Sequence, residues 1–127
     1  MNQKDKELLL KDLSARLPYG VKVRYKSVEG EGDIKLGYGN IGYVPELGRG
    51  WWIECKPYLR PMSSMTEEEY KEYSKRWDLQ DRFPTDADIR FKTDVFDWLD
   101  AHHFDYRGLI PMNLAIAVTE ENNPYKE

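Results

Sequence analysis

Histidine, aspartate and arginine side chains concentrate in one short segment, residues 101–108, that holds His102, His103, Asp105 and Arg107. A histidine in such a segment could act as a general base, and an arginine could hold an anion. Adjacent histidines on a helix point about 100° apart, so they seldom bind one metal ion. The segment therefore predicts a binding site without a metal. The competing interpretation is a helix C-terminus, where histidine cations favour the negative end of the dipole.

A second candidate is the run Tyr58-Leu59-Arg60-Pro61-Met62. It joins an aromatic residue, an arginine and adaptable apolar residues, which is the composition of an interface hot spot. We therefore predict Tyr58 and Arg60 as binding residues. The same run could equally be an ordered crossing loop that packs its own methionine.

A basic stripe alternates with apolar residues over 21–26, where Lys22, Arg24 and Lys26 share one face of a predicted strand. Together with Trp51 and Trp52 this stripe could bind single-stranded nucleic acid. The alternative is a solvated face whose lysines discourage edge pairing. The chain has 19 Lys and Arg against 23 Asp and Glu, and its net charge of −4 argues against a general binder of polyanions.

The glycines at 37, 39 and 42 match the pattern G-x-G-x-x-G. A dinucleotide site needs a helix that opens directly after this pattern, so that its N–H groups face the pyrophosphate. Pro45 follows within three residues, so no helix is expected there. The pattern predicts a glycine-rich hairpin turn, and we predict no cofactor.

Periodicity supplies the elements that must position these residues. Apolar residues at helical spacing predict a helix over 4–17, which Pro18 ends, and a capping box of Thr66 and Glu69 opens a helix that runs to about Trp77. Thr93 is predicted to cap a third helix, to about His103. The predicted strands are 21–26, 34–36, 41–44, 51–55 with an extension through Tyr58-Leu59, and 114–118.

Helices and strands are segregated along the chain, which predicts an α+β domain. We expect a small antiparallel sheet of about four to five short strands, joined as hairpins or a meander, with about three helices packed on it. The 127 residues fit a single domain over 1–127, with a frayed tail over 120–127.

The sequence also excludes some classes of protein. The longest aliphatic run is Leu8-Leu9-Leu10, so no segment is expected to cross a bilayer. Cys55 is the only cysteine, which excludes an intrachain disulfide and a multi-cysteine zinc site, and its burial cannot be predicted. Residues 1–7 mix both charge signs and are not typical of a secretory signal, so a cytoplasmic protein is expected.

Three blocks of sequence carry a resemblance: ARLPYGVKV at 15–23, YLRPMSSMTEEE at 58–69 and DWLDAHHFDYRGLI at 97–110. Together they resemble a set of short uncharacterised proteins of gut anaerobic bacteria and of their phages or mobile elements. The resemblance implies a phage or mobile-element context. It implies no activity, cofactor or catalytic residue.

Three functions compete on this evidence. The first is a non-enzymatic protein-interaction or regulatory module, because no coherent catalytic set is present while aromatic and arginine side chains supply interface-type residues. The alternative is a small enzyme or ligand-binding domain that uses the segment from His102 to Arg107. The third is single-stranded nucleic-acid binding through Lys22, Arg24 and Lys26. Another protein is the expected partner, and no membrane is expected.

Overall fold

The part of the chain that the structure describes folds into an α+β arrangement of three helices and a four-stranded sheet, as predicted. This arrangement is given by a computed structural model that describes residues 2–45, 52–82 and 95–125. In chain order the elements are α1 (Gln3–Arg16), β1 (Lys22–Ser27), β2 (Gly30–Lys35), β3 (Trp52–Leu59), α2 (Glu67–Arg82), α3 (residues 95–101) and β4 (Ile116–Ala117).

Helix α1 begins at a side-chain cap and ends at a proline turn. The Asn2 side chain accepts a hydrogen bond from the Asp5 N–H at 2.8 Å, which satisfies a free donor of the first turn. Pro18 and Gly20 end the helix, and Gly20 adopts a left-handed conformation with φ of 71°. Leu9 and Leu13 are fully buried and pack α1 on the sheet. The prediction for this helix is confirmed.

The sheet has the order β2-β1-β3-β4. Strand β1 is antiparallel to both neighbours, whereas β4 runs parallel to β3 through the pairs Tyr58–Ile116 and Leu59–Ala117. The expectation that every pair is antiparallel is therefore wrong at β4. The reason is the long connection through α2 and α3, which carries the chain back to run in the same direction.

The prediction of a strand over 41–44 is wrong, because Ile41–Tyr43 forms a single 3₁₀ turn. Asn40 closes this turn: its Oδ1 accepts from the Gly37 N–H at 2.8 Å, and its Nδ2 donates to the Lys35 carbonyl at 3.1 Å. Val44 is fully buried in the core, so an apolar run that suggested a strand serves as a packed turn. In the described residues up to 45, no α-helix follows Gly42.

Strand β3 is longer than its first five predicted residues and extends through Tyr58-Leu59 as expected. Trp51 lies outside the described residues. Pro57 faces Val23 of β1 across the ladder. The last predicted strand, 114–118, is reduced to the two residues of β4.

The capping box of α2 is confirmed. The Glu69 N–H donates to Thr66 Oγ1 at 3.1 Å, and Glu69 Oε1 accepts from the Thr66 N–H at 3.0 Å. The helix continues past Trp77 to Arg82. The expected cap of α3, Thr93, lies outside the described residues.

Among the described residues, two apolar clusters form the core. The first joins α1 to the sheet and includes Cys55, which is 1% exposed. The second is centred on Trp98 and Phe104 and also contains Val95 and Leu99. Met62, Met65, Tyr73, Trp77 and Tyr106 pack against the second cluster.

Candidate functional site

The segment after α3 turns back and lies beside the end of β3. Helix α3 ends at residue 101, and His103 adopts a left-handed conformation with φ of 64° that reverses the chain. The Arg60 N–H then donates to the His103 carbonyl at 2.7 Å, and the Asp105 N–H donates to the Arg60 carbonyl at 2.9 Å. Arg60 and Phe104 thus form a parallel bridge. The structure therefore brings together the two segments that the sequence singles out.

The guanidinium of Arg60 is held by groups of the protein itself. It forms a two-pronged ion pair with Glu69, with both N–O distances at 2.7 Å, and it also donates to the Ser64 carbonyl at 3.3 Å. Its other face lies 4.2 Å above the Phe104 ring. The same ion pair lowers the pKa of Glu69 to about 2. Arg60 therefore joins β3, α2 and the turn at 104.

Both imidazoles pack against aromatic rings. His102 stacks on Trp98 with ring centres 4.3 Å apart, and its Nδ1 lies 2.9 Å from the Trp98 carbonyl oxygen. His103 stacks on Tyr125 at 3.8 Å with an interplanar angle of 8°. Burial, reinforced by the nearby charges of Arg16 and other cationic groups, lowers the pKa of His103 to about 4. His103 is therefore neutral at pH 7.

Asp105 closes a turn with its side chain. Its two carboxylate oxygens accept from the backbone N–H groups of Leu109 and Ile110 at 2.8 and 2.9 Å. The side chain is 8% exposed. Such an aspartate satisfies buried backbone donors, and in this position it orders the loop that leads to β4.

Arg107 belongs to an ionic cluster formed by Asp12, Arg16, Asp100, Tyr106 and Arg107. Asp12 joins the two arginines: Arg16 Nε lies 2.9 Å from its Oδ2, and Arg107 Nη1 lies 2.8 Å from its Oδ1. Tyr106 donates to Asp100 Oδ1 at 2.8 Å. The cluster links α1 to the end of α3.

The ionic cluster is almost completely shielded from water. Asp12 and Arg16 are fully buried, and the Arg107 side chain is only 16% exposed. Arg16 Nη2 also donates to the Phe104 carbonyl at 2.5 Å. Burial raises the pKa of Asp100 and of Tyr106. Since a buried charge is tolerated only with partners, this cluster holds the fold together.

The sequence analysis did not predict that Asp12 and Arg16 form a buried ion pair. They share a helix face with Leu9 and Leu13, at the spacing i, i+3, i+4, i+7. A charged pair four residues apart on the apolar face of a helix was therefore the available signal.

Tyr58 is one of two tyrosines fixed at the end of β3. The Tyr58 hydroxyl donates to Asp33 Oδ1 at 2.8 Å, and the side chain is largely buried. The Tyr125 hydroxyl bridges two strands: it donates to the Tyr58 carbonyl at 2.7 Å and accepts from the Lys22 N–H at 2.9 Å. It thus replaces a ladder bond where β1 and β3 separate. The predicted tail over 120–127 contains this anchored residue.

The basic stripe faces acidic side chains on the adjacent strands. Arg24 pairs with Glu31 at 3.0 Å, and Lys26 pairs with Glu54 at 3.4 Å. Lys22 Nζ donates to the Pro124 carbonyl at 2.7 Å. The stripe is therefore largely neutralised within the sheet.

An aromatic cleft lies beside the turn that joins β1 to β2. We define it by Tyr25, Val28, Tyr43 and Trp52. Tyr25 stacks on Trp52 at 4.9 Å, and Tyr43 meets the same indole edge-on at 5.7 Å. Val28 at its rim is 88% exposed. The cleft encloses about 390 Å³ and is also lined by Ser27 and Glu29.

The sequence analysis singled out Trp52 but did not predict that Tyr25 and Tyr43 converge on it. The register pairs Tyr25 with Cys55 and Ser27 with Trp52, and this brings the two rings onto one face. Gly32 opposite Tyr25 leaves room for the ring, because a Cβ there would lie 3.2 Å from the Tyr25 hydroxyl oxygen. The register could not be predicted, because a bulge shifts it between Lys26 and Ser27.

Comparisons with protein-family models, with curated proteins and with solved structures find no match to this chain. Within residues 2–45, 52–82 and 95–125, no group of three or more His, Cys, Asp or Glu side chains could hold a metal ion. None of the helices in the described part of the chain is long and apolar enough to cross a membrane.

Proposed function

We propose that the protein is a non-enzymatic protein-interaction or regulatory module, and that the aromatic cleft is its docking site. The observation that supports this function most directly is the open cleft of Tyr25, Tyr43 and Trp52 with an exposed apolar rim at Val28. Aromatic side chains in an accessible concave site are the usual anchors of protein interfaces.

The proposed partner is a protein segment that presents an apolar side chain. The cleft floor is built from stacked rings that are already ordered, so a partner would meet a preformed surface. Glu29 and Ser27 at the rim supply polar groups around the apolar centre. The resemblance to proteins of phages and mobile elements supports a small regulatory or interaction role in that setting.

The alternative function, an enzyme or ligand-binding site at 102–107, would need free polar groups. Arg107 and Asp105 are instead bound to groups of the fold, and both imidazoles stack on aromatic rings. A shallow cleft beside Arg107 is lined by Lys11, Phe96, Asp97, Asp100 and Tyr106 but not by either histidine. We therefore place this function second.

Single-stranded nucleic-acid binding comes third. A polyanion site needs cations that are free to pair with phosphates. Arg24 and Lys26 are instead already paired with acidic neighbours. The net charge of −4 opposes it as well.

The test compares two aspartate substitutions on exposed apolar residues. Val28→Asp places a charge at the rim of the aromatic cleft, whereas Ile53→Asp changes a residue that is 67% exposed and does not line the cleft. Tagged wild type and both variants are used to capture proteins from a lysate of a gut anaerobe, and the captured proteins are quantified by mass spectrometry.

We expect wild type and Ile53→Asp to capture the same proteins, and Val28→Asp to lose them by about tenfold or more, as an unpaired charge in an apolar contact would cause. Equal recovery by all three would remove the aromatic cleft from the proposal. Circular dichroism of each variant confirms that the fold is retained.

A further inference from the structure

We propose that the outer edge of β2 pairs with β2 of a second copy of this chain, antiparallel and centred on Ile34, to form a continuous eight-stranded sheet. This goes beyond the proposed function, because it uses a different surface from the aromatic cleft and names a specific partner. In the described part of the chain, β2 has only one neighbouring strand, β1.

The direction of the backbone groups of β2 follows from one hydrogen bond. The Leu36 N–H donates to the Val21 carbonyl at 2.8 Å, so Leu36 faces β1. Hydrogen-bonded and non-hydrogen-bonded pairs alternate along an antiparallel ladder. Ile34 therefore also bonds towards β1, whereas the N–H and C=O groups of Asp33 and Lys35 point away from it, to the open edge.

Charge selects the register between two copies. Only outward-facing residues can exchange hydrogen bonds, so Glu31, Asp33 and Lys35 must oppose one another across the two-fold axis. An axis at Asp33 pairs Glu31 with Lys35 on both sides but places the Asp33 carboxylate opposite itself at the centre. An axis at Gly32 places Glu31 opposite Asp33.

An axis at Lys35 places two ammonium groups opposite each other. Like charges directly opposite each other destabilise a strand pair. An axis at Ile34 places Asp33 of each copy opposite Lys35 of the other. This is the register in which both opposed pairs carry opposite charges.

The same register brings Ile34 against Ile34 of the second copy. Ile34 is 38% exposed and lies at the edge of the core face, opposite Val23. Residues in a non-hydrogen-bonded pair have Cα atoms about 4.5 Å apart, which is close enough to cover both side chains. The edge is thus self-complementary in its charge and in its apolar contact.

Asn40 sets the length of the proposed ladder. Its Oδ1 already accepts from the Gly37 N–H, so the ladder ends at Lys35. Its Nδ2 donates to the Lys35 carbonyl, which retains a second lone pair for the Asp33 N–H of the other copy. A ladder this short predicts a weak, concentration-dependent dimer.

The test measures self-association of the whole chain by analytical ultracentrifugation over a wide concentration range. Lys35→Asp places two carboxylates opposite each other at both pairs. Lys6→Asp makes the same change of charge on an exposed position of α1 and is the matched control. We expect wild type and Lys6→Asp to dimerise equally, and Lys35→Asp to bind at least about tenfold more weakly.

A charge exchange makes the register itself testable. Asp33→Lys alone should also weaken the dimer, but an equimolar mixture of Asp33→Lys and Lys35→Asp should form a heterodimer, because each lysine then meets an aspartate. Asp33 also accepts from Tyr58, so circular dichroism must first show that this variant folds. Should it not fold, Ile34→Lys replaces it and should abolish dimerisation.

A wild type that stays monomeric at every concentration would overturn the proposal. So would dimerisation of Lys35→Asp at the wild-type strength. Neither result concerns the aromatic cleft. If the protein is monomeric but Val28→Asp still loses partner capture, the β2 dimer is rejected and the proposed function is retained.

Discussion

The ionic cluster and the aromatic cleft use opposite kinds of side chain in opposite ways. In the ionic cluster, Asp12 and Arg16 carry formal charges and are fully buried. At the aromatic cleft, Val28 is apolar and 88% exposed. Residue types that suggest chemistry therefore hold the fold together here, whereas residue types that suggest a core form an accessible surface.

This contrast shows why residue type alone misleads about function. A charged side chain becomes structural once every partner it needs lies within the same chain, as Asp12 does between Arg16 and Arg107. An apolar side chain becomes a candidate contact once the fold leaves it uncovered. The predictions that follow test each half of the contrast, from the largest expected effect to the smallest.

Asp12→Ala should have the largest effect. It leaves Arg16 buried without its main carboxylate partner, and removal of one member of a buried ion pair destabilises a protein by about 3–5 kcal/mol. Urea denaturation measures the change in the free energy of unfolding. Asp97→Ala, at an exposed position of α3, is the control and should change little. Equal stability of the two variants would show that the ionic cluster does not support the fold.

Arg60→Ala should follow. It removes the two-pronged pair with Glu69 and the contact with the Phe104 ring, and bonds of this charged kind contribute about 1.5–3 kcal/mol. A carboxyl NMR titration provides the specific readout. The pKa of Glu69 should rise from about 2 towards its ordinary value. If it stays near 2, another group must stabilise that carboxylate.

Acid should weaken the fold through His103. Its pKa is about 4 when folded and about 6.5 when unfolded, so the unfolded chain binds a proton first as the pH falls. The stability that neutral His103 contributes is therefore fully present above pH 6.5 and is lost as the pH falls towards 4. Partial exposure limits the loss to about 1–2 kcal/mol.

Urea titrations at several pH values test this effect, with His103→Asn as the comparison. Asparagine tolerates the left-handed backbone at this position but does not titrate. The slope of stability between pH 6.5 and 4.5 should flatten in the variant. An unchanged slope would assign the acid sensitivity to another group.

Tyr125→Phe should have a smaller effect, of about 1 kcal/mol, because it retains the ring against His103 but leaves the Lys22 N–H and the Tyr58 carbonyl without the hydroxyl. Hydrogen exchange at the Lys22 amide is the direct readout and should accelerate. Exchange at Arg24, in the middle of β1, should not change. Acceleration at both amides would indicate a general loss of stability instead.

Val28→Asp should have the smallest effect on stability, within about 0.5 kcal/mol, because the side chain is almost fully exposed. The same variant is expected to lose partner capture. Urea denaturation beside wild type checks the stability. A large destabilisation would show that Val28 supports the hairpin and would weaken the contrast between the two regions.

Much of the fold follows from the sequence alone. Helical spacing located α1, the capping box located α2, and the alternation over 21–26 located β1. These signals are local, and the structure contains all three elements, although α2 continues past its predicted end to Arg82. The prediction of a strand over 41–44 was wrong because Asn40 stabilises a turn there with its own side chain. An apolar run of four residues does not distinguish a strand from such a turn.

The candidate site was less accessible to sequence reasoning. Arg60 and the segment 102–107 do meet, but the Asp12 carboxylate that engages Arg107 comes from 95 residues earlier in the chain. The aromatic cleft depends on the register of β1 against β3, which the bulge at Lys26 shifts. Pairings over such sequence distances depend on the whole fold, and no local pattern encodes them.

The bridge made by Tyr125 has a consequence for the order in which the chain folds. It joins positions 103 residues apart, and the contact between Arg16 and Phe104 spans 88. During synthesis, β1 leaves the ribosome long before the residues that complete its surroundings. The end of the β1–β3 pair therefore stays incomplete until Tyr125 has been synthesised and can reach Lys22 and Tyr58.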